Sequence, residues 1–107
     1  MKQRITRRAQ RYPVHLEVKE LNGQPVSETY LLDISSLGAR MESHLGLAPM
    51  KLVEFSIVLP GTETETRMEG SVVWMHPVLG SPGRYHMGVK FFKSYWIVDQ
   101  LGRSGRL

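Results

Sequence analysis

Read for its hydrophobic pattern, the chain is a series of short alternating runs. From Pro13 to Glu20 apolar and polar residues alternate strictly, the period-2 signature of a half-buried strand with Val14, Leu16 and Val18 turned to the core. Leu21-Asn22-Gly23-Gln24 follows, and an Asn-Gly pair between two such runs predicts a hairpin, because both residues tolerate positive φ. The first two strands are therefore expected to be antiparallel neighbours. A second strand is predicted from about Val26 to Ile34, a short third from Ala39 to Glu42, and a fourth from Leu52 to Leu59, closed by a Pro60-Gly61 turn. From Thr64 to Met75, residues Thr66, Met68, Gly70, Val72 and Trp74 share one face, with Gly70 a candidate bend or bulge. Pro77 to Gly83 reads as an irregular loop before a last strand, Tyr85 to Phe92, which places Trp74 and Phe91 towards the core. Ser94 is placed to cap a short helix from Tyr95 to Leu101, with Gly102 as its stop and a frayed tail, Arg103 to Leu107. Short, evenly spaced strands joined by turn chemistry predict a small closed or split antiparallel barrel.

Length and composition fit that picture. A chain of 107 residues is one domain by size, and 41% hydrophobic against 22% charged residues places it among globular proteins. Without cysteine there is no disulfide, thiolate nucleophile or cysteine zinc site. No apolar run suits a secretory signal or a membrane span, so a cytoplasmic protein is expected. The net charge of +4 is unevenly placed: Lys2, Arg4, Arg7, Arg8 and Arg11 all precede the first acid, Glu17. The chain divides into an arginine-rich arm (1–12), a barrel (13–102) and a tail (103–107).

An enzyme of this size would have to assemble its chemistry from a short list. The histidines at 15, 44, 76 and 86 show no ligand-pair spacing, Asp33 and Asp99 are the only aspartates, and no nucleophile elbow, phosphate loop or dinucleotide fingerprint occurs. No catalytic residue, metal or cofactor is expected.

Two clusters stand out instead. In Arg7-Arg8-Ala9-Gln10-Arg11, guanidinium groups four residues apart can clasp one compact anion, each fork matching phosphate oxygens or the O6/N7 edge of guanine. A solvated basic N-terminus accounts for the segment equally well. In Asp33-Ile34-Ser35-Ser36-Leu37-Gly38, a carboxylate can accept from the N1 and N2 donors of guanine, a hydroxyl can donate or accept, and glycine admits a ligand to the backbone. Taken alone, this composition is also what an ordinary turn uses.

Together the clusters resemble the signature of the PilZ domain family, an RxxxR arm and a [D/N]xSxxG turn. Here these are Arg7-xxx-Arg11 and Asp33-x-Ser35-xx-Gly38, with 21 residues between Arg11 and Asp33, room for the hairpin. Gly70-Ser71-Val72-Val73-Trp74 and Gly88-Val89-Lys90-Phe91 also fit the family pattern, so the resemblance spans nearly the whole chain. It implies an all-β fold, a six-stranded antiparallel barrel with a short C-terminal helix, and a non-enzymatic receptor for cyclic di-GMP. Arg7 and Arg11 would engage guanine edges and phosphates, Asp33 and Ser35 would bind from the barrel surface, and Gly38 would permit close approach. Arg8 and, with a weaker claim, Arg40 would add contacts. Ligand binding would order the arm across the barrel mouth and signal to a separate protein in motility, pilus or biofilm control. The rival reading is an adaptor of the same fold that works by protein contact without nucleotide. A nucleic-acid-binding barrel is disfavoured, because aromatics are not interleaved with the arm's basic residues.

Overall fold

The computed structural model describes residues 9–107. Strand β1 (Tyr12–Glu17) alternates between exposed and half-buried positions, as its sequence requires, and the following Val18 is fully buried. A two-residue turn, Asn22 (φ 54°) and Gly23 (φ 79°), joins the short strands β2 (Glu20–Leu21) and β3 (Gln24–Pro25). Positive φ at both positions is what this class of hairpin turn demands. The Asn22 side chain then fastens the tip to the far side of the sheet: its Nδ2 donates to the Leu52 carbonyl (3.1 Å) and its Oδ1 accepts from Glu54 N (2.8 Å).

The predicted second strand is interrupted. β3 ends at Pro25, and β4 (Tyr30–Ile34) begins only after a break in which Glu28 takes φ 51° and Thr29 is buried against Ser43 (Oγ1···Oγ 2.9 Å). The break follows from a change of partner: β1 pairs with β4, whereas the hairpin tip pairs with β6 (Leu52–Val58) through Leu21 and Phe55.

Three further strands, β5 (Gly38–Ser43), β7 (Glu65–Pro77) and β8 (Tyr85–Phe91), complete one antiparallel sheet in the order β1-β4-β5-β8-β7-β6-β2-β3. β1 and β2 are consecutive, with only Val18 and Lys19 between them, yet they lie at opposite ends of that order. The sheet must therefore curl until its edges approach, giving a half-barrel of six principal strands with the β2–β3 hairpin as an addition to the predicted set. The concave side holds Leu31, Ile34, Met41, Phe55, Ile57, Met68 and Met87, all essentially excluded from solvent.

Between β7 and β8 the register slips by one residue: Val72 is opposite Val89, but Trp74 is opposite Gly88. This bulge lies beyond Gly70, the glycine expected to mark one. Gly70 instead allows β7 to approach β8, since a β-carbon there would collide with the Lys90 carbonyl oxygen.

Helix α1 (Trp96–Arg103) also departs from expectation at both ends. Its N-cap position is Tyr95, not Ser94, and has no side-chain cap bond; Tyr95 is held by N–H donation to the Ser36 carbonyl (2.8 Å) and by its hydroxyl accepting from Glu69 N (3.1 Å). The helix runs through Gly102, where only glycine leaves room for the Tyr12 ring, which lies where a β-carbon would be. It ends at Arg103 and is closed by Gly105 (φ 76°) two residues on, with Arg106 N donating to Leu101 O (2.8 Å) and Gly105 N to Gly102 O (3.1 Å), a glycine-stopped C-terminus. The tail is thus not frayed: Leu107 packs against the core. Among the described residues no helix is long and apolar enough to cross a membrane.

Candidate functional site

Pairing across three strands assembles the site. Asp33 on β4 lies opposite Pro13 of β1 on one side and Arg40 of β5 on the other, so the residue just before β1, Arg11, reaches it as well. Arg11 Nη1 donates to Asp33 Oδ1 at 2.8 Å, and Arg40 Nε lies 3.2 Å from Asp33 Oδ2. The Arg40 contact is an ion pair by distance only. Its Nε is shielded from water yet not aligned for a hydrogen bond among the described residues. Both guanidinium-bearing side chains remain accessible, 61% for Arg11 and 43% for Arg40, so each can exchange its partner for a ligand.

Ser35 and Gly38 have inward tasks. The Ser35 hydroxyl oxygen accepts from Leu37 N and Gly38 N, both at 3.1 Å, and Ser35 N donates to the Gly38 carbonyl at 2.8 Å, which fixes the β4–β5 turn. A β-carbon on Gly38 would collide with the Val89 carbonyl oxygen, so glycine is required for β5 to pair with β8. These two residues shape the wall from which Asp33 and Arg40 project.

That wall bounds a cleft of about 500 Å³, lined by Arg11, Asp33, Ser35, Leu37, Gly38 and Arg40 and, from β7 and β8, by Val73, Trp74, Gly88 and Lys90. Its size falls within the roughly 300–1,000 Å³ of ligand pockets. Three cations, Arg11, Arg40 and Lys90, face one carboxylate, Asp33, so the cleft favours an anion.

Trp74 corrects the sequence reading. It was expected inside, but the bulge turns it to the outer face, where it is 37% exposed and lies across Gly88. Phe91, expected inside with it, is buried there. The signal that could have found Trp74 is Gly88 itself, a glycine inside a strand opposite an indole. Arg7 and Arg8 lie outside the described residues.

The histidines show no pair spacing in the sequence, yet the strand register sets His76 and His86 opposite one another. His86 is opposite both Glu42 and His76, and its Nε2 lies 2.9 Å from Glu42 Oε1, while Arg84 Nε and Nη2 reach Glu42 Oε2 at 3.2 and 3.1 Å. The hydrogen bond from His86, reinforced by Arg84, holds the Glu42 carboxyl below its ordinary value. Among the described residues no group of three or more His, Asp or Glu side chains is placed to hold a metal.

Comparison with protein-family models gives one finding, a match to the PilZ domain over residues 5–95. Neither the comparison with curated proteins nor that with solved structures gives a match. The match covers most of the chain, including β1 to β8 and the whole wall of the cleft, and the curled antiparallel sheet agrees with the family's barrel: the chain belongs to the PilZ domain family.

Proposed function

We propose that this chain is a cytoplasmic, non-enzymatic receptor for cyclic di-GMP that signals to a separate protein by contact. PilZ domains are in general ligand-binding and adaptor domains for this nucleotide. The observation that carries the reading to this chain is the gathering of Arg11, Asp33 and Arg40 beside Trp74 in one cleft.

Each group suits one part of the ligand. Asp33 offers two acceptor oxygens to the N1 and N2 donors of guanine, and Trp74 offers a flat surface for its ring. Arg11, released from Asp33 as the base arrives, turns to phosphate or to the O6/N7 edge, joined by Arg7 and Arg8 from the arm and by Arg40 and Lys90 from the wall. Ser35 and Gly38 act by holding the turn and the strand spacing. Hydrogen bonds to charged groups contribute roughly 1.5–3 kcal/mol each, and micromolar binding needs about 8 kcal/mol, so four such contacts with stacking suffice. The filled cleft and the arm laid over it form the surface that an effector in motility, pilus or biofilm control would read.

Calorimetric titration with cyclic di-GMP, with cyclic di-AMP as control, tests this. Selective binding that is lost in the Arg7→Ala/Arg11→Ala variant is the expected result. Absence of heat at tens of micromolar would overturn it in favour of an adaptor that acts without nucleotide.

A further inference from the structure

Beside the cleft lies a second cavity of about 370 Å³, and Ala9 and Leu37 line both. Tyr12 and Ser36 bound it on the barrel side and α1 closes the other side with Trp96, Asp99 and Arg103. These three occupy positions i, i+3 and i+7 of the helix and so share one face, while Val98 and Leu101 bury the opposite one. Trp96 is 65% exposed, a large apolar surface for an indole to leave in water, on a helix that buries only Val98 and Leu101. Neither Asp99 nor Arg103 forms an ion pair among the described residues.

The chemistry of this face repeats that of the cleft next to it. An indole, a carboxylate and a guanidinium meet at Trp74, Asp33 and Arg40 in one cavity and at Trp96, Asp99 and Arg103 in the other. Trp96 and Leu37 alone would suit a greasy protein contact. A carboxylate and a guanidinium on the same helical face as the indole suit a planar ligand that carries both N–H donors and an anion.

We propose that this cavity is a second guanine-nucleotide site, with Trp96 stacking on the base, Asp99 accepting from its N1 and N2 donors and Arg103 engaging phosphate. The proposal rests on the reading of the first cleft as a guanine-nucleotide site. The guanine is supplied by the second base of one cyclic di-GMP lying across Leu37 or by a second molecule, and the two sources differ in stoichiometry.

The chain has two tryptophans, so Trp74→Phe leaves Trp96 as the sole indole reporter. Titrating this variant with cyclic di-GMP should quench Trp96 saturably, and adding Asp99→Ala or Arg103→Ala should weaken that response about tenfold, the order expected for one stacked or charge-paired contact. Where Trp96 is quenched and the Asp99 or Arg103 variants weaken that response, calorimetry on the unaltered chain separates the sources: one ligand per chain then means one molecule spans both cavities, two means separate occupants. Silent Trp96 emission, together with unchanged affinity and stoichiometry in Asp99→Ala/Arg103→Ala, overturns the second site and leaves the first reading intact. As a separate arm, 5′-GMP is titrated into Arg11→Ala/Asp33→Ala/Trp74→Phe, in which the first cleft is disabled. Quenching of Trp96 there supports the second site whatever becomes of the first, and no response at millimolar 5′-GMP counts against it.

Discussion

Trp74 lies across Gly88, with its indole Nε1 and Cε2 in the space that a β-carbon on residue 88 would fill. The pairing exists only because the β7 bulge sets Trp74, and not Val73, opposite Gly88. Gly88→Ala should therefore displace the indole from the cleft wall while leaving the buried neighbours Met87 and Val89 in place. A shift in tryptophan emission and about a tenfold loss of cyclic di-GMP affinity are expected, matching the worth of one stacked base. Unchanged affinity alongside a shifted emission would remove Trp74 from the site.

Asp33 separates binding from stability. Its partners are accessible, and ion pairs of that kind contribute about 0–1 kcal/mol, so Asp33→Ala should lower the unfolding free energy by no more than that. Nucleotide affinity should fall tenfold or more, because the variant loses the acceptor for the guanine donors. Chemical denaturation and calorimetry on the same preparation check both halves.

Gly102→Ala reverses an ordinary rule. Inside a helix this exchange usually stabilises by about 1 kcal/mol. Here the new methyl group meets the Tyr12 ring, and a loss of about 1–3 kcal/mol, the usual cost of overpacking, is expected instead. Combining it with Tyr12→Ala should make the alanine at 102 neutral or favourable relative to Tyr12→Ala alone, a coupling that a double-mutant cycle by denaturant unfolding measures.

Glu42 sets an acid limb of stability. The bonds from His86 and Arg84 lower its pKa in the folded state below the ordinary 4.5, so folding favours the ionised form. The resulting stabilisation is present above the unfolded-state value and is lost as pH falls through the lower folded-state value. Thermal unfolding of Glu42→Gln should therefore show a deficit against the unaltered chain that is steady above pH 5, as long as His86 and Arg84 keep their bonds, and narrows below pH 4.5. A deficit that persists undiminished at pH 3 would assign the effect to packing.

Much of this was legible because it depends on local pattern. Alternation around Val14, Leu16 and Val18, the Asn22-Gly23 turn and the strand boundaries near 52–58 and 85–91 follow from a period of two and from turn residues, and the structure retains them. The meeting of Arg11 with Asp33 follows from the hairpin that makes β1 and β4 neighbours. What escaped depends on long-range register. One inserted residue near Val73 sent Trp74 to the other face, and the same slip set His76 beside His86, which no spacing in the sequence announces. Gly102 was read as a helix stop because glycine usually is one; only the ring of Tyr12, ninety residues away in sequence, explains why it sits inside α1. For Gly38, its composition suggested room for a ligand, whereas the β5–β8 contact supplies a packing reason for the same residue.

The packing of Tyr12 on α1 also sets a dose. Tyr12 is anchored on α1, and the five residues of chain from it back to Arg7 can span at most about 18 Å. In the receptor proposed above, a guanidinium at so short a chain distance would meet the cleft at an effective concentration of millimolar order, whatever the concentration of the protein itself. Once a nucleotide had met Asp33 and Trp74 in that receptor, each further contact from the arm would be an intramolecular event. On that proposal the affinity of this small domain would depend as much on where Gly102 lets Tyr12 sit as on the residues that touch the ligand.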